Sequence, residues 1–314
     1  MAPLCIAHRG GAALRPENTL CAFAHATALG ADGAELDVQL SRDGHVVVVH
    51  DLRLSAELCR DENGAWIASP GPPVARLTLD EIERYDVGRA RPDSDYVRGH
   101  PDVVPSDGEH IPLLAEVVAL ARRAAKPFRL FVELKTPLAD PLVSASPETL
   151  AKAVVALLKQ MDYIERSVLV GFDWRGLVHA KTIEPACTCW FSTRPQSWFG
   201  DGTPPVEDNP PPEPALQILR HWIRNRTSPW AAGSDPGKFG GSVVAAVKAA
   251  GGDGWFPWWR DVTADSIHEA HGSGLKIGAW TVNDRTAMRV LATNGIDAIC
   301  TDRPDLIVTS AAVE

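Results

Sequence analysis

The 314-residue chain has no run of about 18 apolar residues, the length a bilayer-spanning helix needs. Its start, Met1 to Gly10, shows neither a basic stretch nor an apolar one ahead of a small-residue cleavage site. A cytoplasmic protein without stable membrane insertion is therefore expected. Nor is there a long block of lysine and arginine. With 31 basic against 40 acidic residues the formal charge is −9, and no nucleic-acid partner is expected. Cysteine is sparse: six are scattered along the chain, and no second Cys or His pair stands at zinc-finger spacing from Cys187 and Cys189. Reduced thiols follow, with those two read as small buried hydrophobes. Also missing is a Gly-x-Gly-x-x-Gly opening a helix after the first strand, which removes the main support for a dinucleotide fold.

What is present is the balance of a soluble globular protein, 45% hydrophobic and 23% charged. Short aliphatic or β-branched runs recur at 4–7, 34–40, 46–49, 129–132, 167–170, 188–191, 254–257, 276–279 and 297–300. Most alternate with Ala/Leu-rich stretches of helical length at 18–29, 113–125, 147–161, 174–181, 242–250, 263–271 and 285–293. Several runs are continuously apolar, as strands are when helices cover one face and a filled interior the other. An α/β fold follows, most naturally a closed (β/α)8 TIM barrel, with an open doubly wound sheet as the alternative. We expect one domain over residues 1–314. Within it, 53–110 reads as an insertion after the second strand region, lying over the barrel mouth. Residues 194–241, rich in Pro and Gly around a short helical piece at 215–226, read as a long loop.

Barrel enzymes draw their active groups from the carboxyl ends of the strands. The first run ends in His8-Arg9-Gly10, the second holds Glu35 and Asp37, the third ends in His50-Asp51, and a later one ends in Glu133-Leu134-Lys135. Residues two apart on a strand share a face, so Glu35 aims with Asp37, and Glu133 with Lys135. Asp43-Gly44 suits the centre of a two-residue type I′ hairpin, a register that sets Leu40 opposite Val47 and Asp37 opposite His50. Three converging carboxylates repel unless a cation neutralises them, and all-oxygen ligands favour Mg²⁺ or Ca²⁺. With one divalent ion, Arg9 and Lys135, the formal sum is about +1, suited to an anionic phosphodiester. His8 and His50 are the groups able to exchange protons near neutrality. Asp51, Asp173 and Asp302 read as charged strand exits, and Glu17 and Asn18 as parts of a helix start. The Trp255 to Trp259 stretch reads as core and rim packing, with a choline cage or lipid grip as the alternative.

These motifs also resemble a known family, the glycerophosphodiester phosphodiesterases. Ile6-Ala7-His8-Arg9-Gly10-Gly11, Arg15-Pro16-Glu17-Asn18-Thr19, Gly33-Ala34-Glu35-Leu36-Asp37, Asp43-Gly44 and His50-Asp51 look like its N-terminal signature in order and spacing. Phe131-Val132-Glu133-Leu134-Lys135, Trp280-Thr281-Val282-Asn283 and Thr301-Asp302-Arg303-Pro304 resemble its later motifs. The resemblance implies a TIM barrel that hydrolyses glycerophosphodiesters to sn-glycerol 3-phosphate and an alcohol, with Mg²⁺ or Ca²⁺. On the matching positions, Glu35, Asp37 and Glu133 would bind metal. His8 and His50 would act as acid and base in an order left open. Arg9 and Lys135 would hold phosphate, and Trp280 would border substrate. The stretch after His50-Asp51 departs from the family's usual continuation, which leaves the leaving group open. A lysophospholipase D-type enzyme and a catalytically silent phosphoester-binding barrel are the alternatives.

Overall fold

The computed structural model describes residues 2–138 and 143–311. Among them are nine strands: β1 (Leu4–Ala7), β2 (Gly33–Leu40), β3 (Val46–Val48), β4 (Arg129–Leu134), β5 (Ser167–Gly171), β6 (Thr188–Thr193), β7 (Gly254–Pro257), β8 (Lys276–Ala279) and β9 (Ala298–Thr301). All but β3 pair in parallel, and β9 and β2 both flank β1, so eight strands close into a barrel. An open doubly wound sheet is excluded. The helices are α1 (Leu20–Leu29), α2 (Leu79–Ile82), α3 (Asp95–Gly99), α4 (Leu114–Arg122), α5 (Pro147–Gln160), α6 (Trp174–Ile183), α7 (Glu213–Arg224), α8 (Val243–Ala249), α9 (Ala264–Gly272), α10 (Arg285–Thr293) and α11 (Asp305–Ala311). Their starts are chemical: Thr19, Ser146, Asp173, Ser242, Thr263 and Asp284 each accept a backbone N–H of the first turn, satisfying a donor that would otherwise lack a partner.

Strand side chains alternate between two apolar environments. Outward residues such as Leu36, Val38, Leu130 and Val132 pack into the main core beneath the helices, with Leu114, Val117 and Leu150. Inward residues Ile6, Phe131, Val168, Val170, Trp190 and Phe256 fill the lower barrel. Trp190 is accommodated because its neighbours lack side chains: a Cβ on Gly254 would meet the indole at 2.7 Å, and one on Gly278 at 2.9 Å. The interior is thus plugged with hydrocarbon below, leaving the carboxyl end of the strands to polar groups.

The β2–β3 hairpin corrects one expectation. The observed partners are Val38 with Val48, Gln39 with Val47 and Leu40 with Val46, one residue out of step with the pairing of Leu40 and Val47. The loop has three residues, not two. Gly44 adopts φ +87° and its N–H donates to the Ser41 carbonyl, while the Ser41 hydroxyl donates to Asp43 and accepts from the His45 N–H. These bonds favour a turn followed by a left-handed glycine over the type I′ form. Asp37 therefore faces Val49, whose N–H it accepts at 2.9 Å, and His50 lies beyond the ladder.

Residues 53–110 carry α2 and α3, and gather Leu54, Cys59, Val74 and Ile82 with Val47 and Ile111 in a separate apolar cluster. Residues 194–241 carry α7 and build another from Trp198, Leu216, Leu219 and Trp230. All six cysteines are free, and Cys187 and Cys189 are buried.

Candidate active site

Parallel register decides which carboxylates meet. Asp37 pairs with Glu133 on the neighbouring strand, and Glu35 sits one inward step below Asp37. On the other side, Ala7 pairs with Ala34, which brings His8 level with Glu35. One carboxylate oxygen from each of Glu35, Asp37 and Glu133 lies within 4.8 Å of the others. Glu35 and Asp37 are almost wholly buried, at 3% and 1% exposure. Glu35 Oε1 is buried with no hydrogen-bond partner, a costly state for a carboxylate oxygen and one that a ligand would relieve. An all-oxygen trio, two of its members buried, with such an orphaned acceptor fits a hard divalent cation.

The fixed cations are already engaged with these acids. Arg9 lies 2.9 Å from Glu17 and 3.4 Å from Asp37, while Lys135 lies 2.8 Å from Glu133 and 3.4 Å from Asp37. Asn18 Nδ2 donates to Asp37 at 2.8 Å. Burial and the adjacent Asp37 push the Glu35 carboxyl well above the usual carboxylate range. Burial acts on Asp37 in the same direction, but Lys135, His50, Arg9 and the Asn18 hydrogen bond outweigh it and hold Asp37 ionised. Arg9 and Asn18 both adopt positive φ, 50° and 56°, and the Asn18 N–H donates to the Arg9 carbonyl. The strained backbone is thus located where side chains are aimed into the site.

Each sequence-predicted histidine has a carboxylate partner. His8 Nδ1 lies 2.6 Å from Asp302, and His50 Nδ1 lies 2.7 Å from Asp51. Burial disfavours the His8 cation, yet Asp302 outweighs it and the imidazole's affinity for its proton rises. Burial also acts on His50, where Arg9 and Lys135 reinforce it and the affinity falls. Burial would raise the Asp302 carboxyl, but His8 and a hydrogen bond from Asn283 hold it at about 2. His8, Arg9, Glu35, His50, Glu133, Lys135 and Trp280 line a single cavity of 340 Å³. Asp37 is held against this cavity by Arg9, Lys135 and Asn18.

Four residues belong to this site in ways the strand-end census overlooked. Asp302 is buried against His8 rather than marking a solvated exit, and Asp173 is no solvated exit either, being buried where it caps α6 and pairs with Arg175. Asn18 supports Asp37, and Glu17 holds Arg9, so both act through other side chains. Arg194, just past β6, lines the cavity with its guanidinium 3.7 Å from the Phe172 ring centroid. The missed signal is the two-residue step itself. Continued past the strand ends, it runs from Trp190 through Ser192 to Arg194 and from Ala298 through Cys300 to Asp302.

Comparison with known proteins places these features in a lineage. The model of the glycerophosphoryl diester phosphodiesterase family matches residues 8–306. A glycerophosphodiester phosphodiesterase of Caldanaerobacter subterraneus subsp. tengcongensis is 27% identical over 308 residues, covering 98% of this chain and 97% of the relative. Among solved structures, a protein of Silicibacter pomeroyi DSS-3 bearing the same family name superposes with a TM-score of 0.78 and 29% identity, covering 99% of this chain and 95% of its own. An Oleispira antarctica phosphodiesterase, solved with the product sn-glycerol-3-phosphate, shares the fold at a TM-score of 0.67 and 22% identity, covering 100% and 98%.

Proposed function

The chain belongs to the glycerophosphoryl diester phosphodiesterase family, whose members are phosphoric diester hydrolases, and from that premise we propose how it works. It hydrolyses glycerophosphodiesters to sn-glycerol 3-phosphate and an alcohol with the help of a divalent cation, Mg²⁺ or Ca²⁺, held by Glu35, Asp37 and Glu133. The observation that carries this is the carboxylate trio gathered within 4.8 Å, flanked by two carboxylate-supported histidines in one cavity. Once bound, the cation supplies positive charge where the phosphoryl oxygens gain negative charge.

The chain's own groups divide the remaining work. Asp302 and Asp51 each hold a histidine Nδ1 proton, which leaves both Nε2 atoms free to exchange protons within the cavity. His8, backed by a buried anion, retains its proton and gives it to the departing alcohol. His50, beside Arg9 and Lys135, stays neutral and accepts the proton of the water that adds to phosphorus as the bond to the alcohol breaks. Arg9 and Lys135 steady the phosphate while keeping the carboxylates in place, and Trp280 borders the substrate with its N–H donated to the Phe256 carbonyl. Residues 1–314 act as one catalytic domain, with 53–110 as an insertion over the mouth and 194–241 as a second excursion. No helix among the described residues is long and apolar enough to cross a membrane, in keeping with a small-molecule substrate handled in the cytoplasm.

Incubation with sn-glycero-3-phosphocholine tests the reading by product identity. Release of sn-glycerol 3-phosphate and choline is expected. Release of phosphocholine and glycerol, or no release from any glycerophosphodiester, contradicts it.

A further inference from the structure

One strong cation in the cavity is left without an anion. Arg9 and Lys135 are paired with carboxylates at 2.8 to 3.4 Å, but among the described residues no carboxylate comes within ion-pair distance of the Arg194 guanidinium. Burial opposes its charge, and the one anion that favours it, Glu133, acts from beyond contact. A guanidinium offers five N–H donors, and among the described residues no protein acceptor takes any of Arg194's, so they are open to a ligand in the cavity.

The lining is aromatic, as a quaternary-ammonium cage would be, but Arg194 places a fixed positive charge against it. The guanidinium itself covers the face of Phe172 at 3.7 Å. Asp208, the one lining carboxylate outside the metal cluster, accepts the Ser197 hydroxyl at 2.5 Å and lies 3.5 Å from Arg260. What this side of the cavity has to offer a ligand is therefore positive charge and donors. Arg194 also stands two strands round the barrel from Lys135, on the order of 10 Å at the usual strand spacing, which suits a second anionic group better than the scissile one.

Resting on the phosphodiesterase reading, we infer that Arg194 forms a subsite for a leaving alcohol that carries a second phosphate group. Arg194 is then a specificity-determining residue, selecting such substrates over those with a choline headgroup.

The test compares kcat/KM for 1,3-bis(sn-glycero-3-phospho)glycerol and for sn-glycero-3-phosphocholine, in the wild type, Arg194→Gln and Arg194→Lys, each checked for folding by thermal melting. The wild type is expected to prefer the doubly anionic substrate by about tenfold or more, roughly the effect of one ion pair. Arg194→Gln should lose most of that ratio through KM, and Arg194→Lys should keep part of it. If Arg194→Gln fails to fold, loss of the fork geometry in Arg194→Lys carries the comparison. A wild type without the preference overturns the inference. So does a ratio unaffected by substitution, and so does equal loss on both substrates, which would place Arg194 on the scissile phosphate instead. Absence of wild-type turnover on every glycerophosphodiester would sink the phosphodiesterase reading itself, and this inference with it.

Discussion

His8 Nδ1 and Asp302 Oδ1 meet at 2.6 Å although 294 positions separate them in the chain. The contact joins the exits of the first and last barrel strands, so it exists only once β9 has closed on β1. Asp302 is itself fixed, accepting from Asn283 Nδ2 at 2.6 Å while its own N–H donates to Asn283 Oδ1 at 3.0 Å. An ionised, oriented carboxylate thereby sets the tautomer of His8 and favours its cation.

Replacing that anion isolates its contribution. Asp302→Asn keeps the volume but removes the charge, and kcat is expected to fall at least about a hundredfold. The sign of the pH effect is fixed by direction: Asp302 raises the proton affinity of His8, so the alkaline limb of the rate profile should move to lower pH in the variant. A pH profile that keeps its alkaline limb in place would exclude Asp302 as the support of the acid.

Truncation of either imidazole should be costly to rate and mild for folding. His8→Ala and His50→Ala are each expected to slow turnover at least about a hundredfold, with melting temperatures near that of the wild type. Full activity in either variant would remove that histidine from the mechanism.

Glu133 is the least buried of the three carboxylates and is bonded to Lys135 at 2.8 Å. Glu133→Gln should weaken Mg²⁺ or Ca²⁺ binding in a calorimetric titration without substrate. An unchanged titration would exclude it as a ligand.

Asp261 gives a stability prediction away from the chemistry. Burial, with Asp208 nearby, raises its carboxyl up to about 6, against an ordinary value of 3.8. The folded chain therefore binds this proton more tightly than the unfolded chain, so its contribution to stability falls as pH rises from about 4 to about 6 and stays low above. Asp261→Asn retains an acceptor for the Gln196 N–H and escapes the penalty. The variant's melting temperature relative to wild type should increase from pH 4 to pH 7.5, and a constant difference across that range would refute the assignment.

Much of this was legible before folding because it depends on local rules. The spans 4–7, 254–257 and 276–279 have the observed strand bounds, since buried parallel strands read as short apolar runs between polar exits. Glu35, Asp37 and Glu133 were found because a strand repeats every two residues. The hairpin register was misjudged because the Ser41 hydroxyl, not the Asp43-Gly44 pair alone, decides the turn. For Asp302 the inward step from Ala298 through Cys300 gives its direction, but its partner His8 comes from the opposite end of the chain and is reached only when the barrel closes. Arg194 lay hidden at the start of a Pro- and Gly-rich segment, where strand exit and loop entry look alike, although the inward step from Trp190 reaches it.

The central claim, that these three carboxylates hold a cation required for turnover, is tested most directly by stripping metal from the folded enzyme. Release of sn-glycerol 3-phosphate is then followed as Mg²⁺ or Ca²⁺ is returned. The account predicts no release from the stripped enzyme and recovery on adding back the ion, with neither release nor recovery in Asp37→Asn. Undiminished release from the metal-free protein would contradict it.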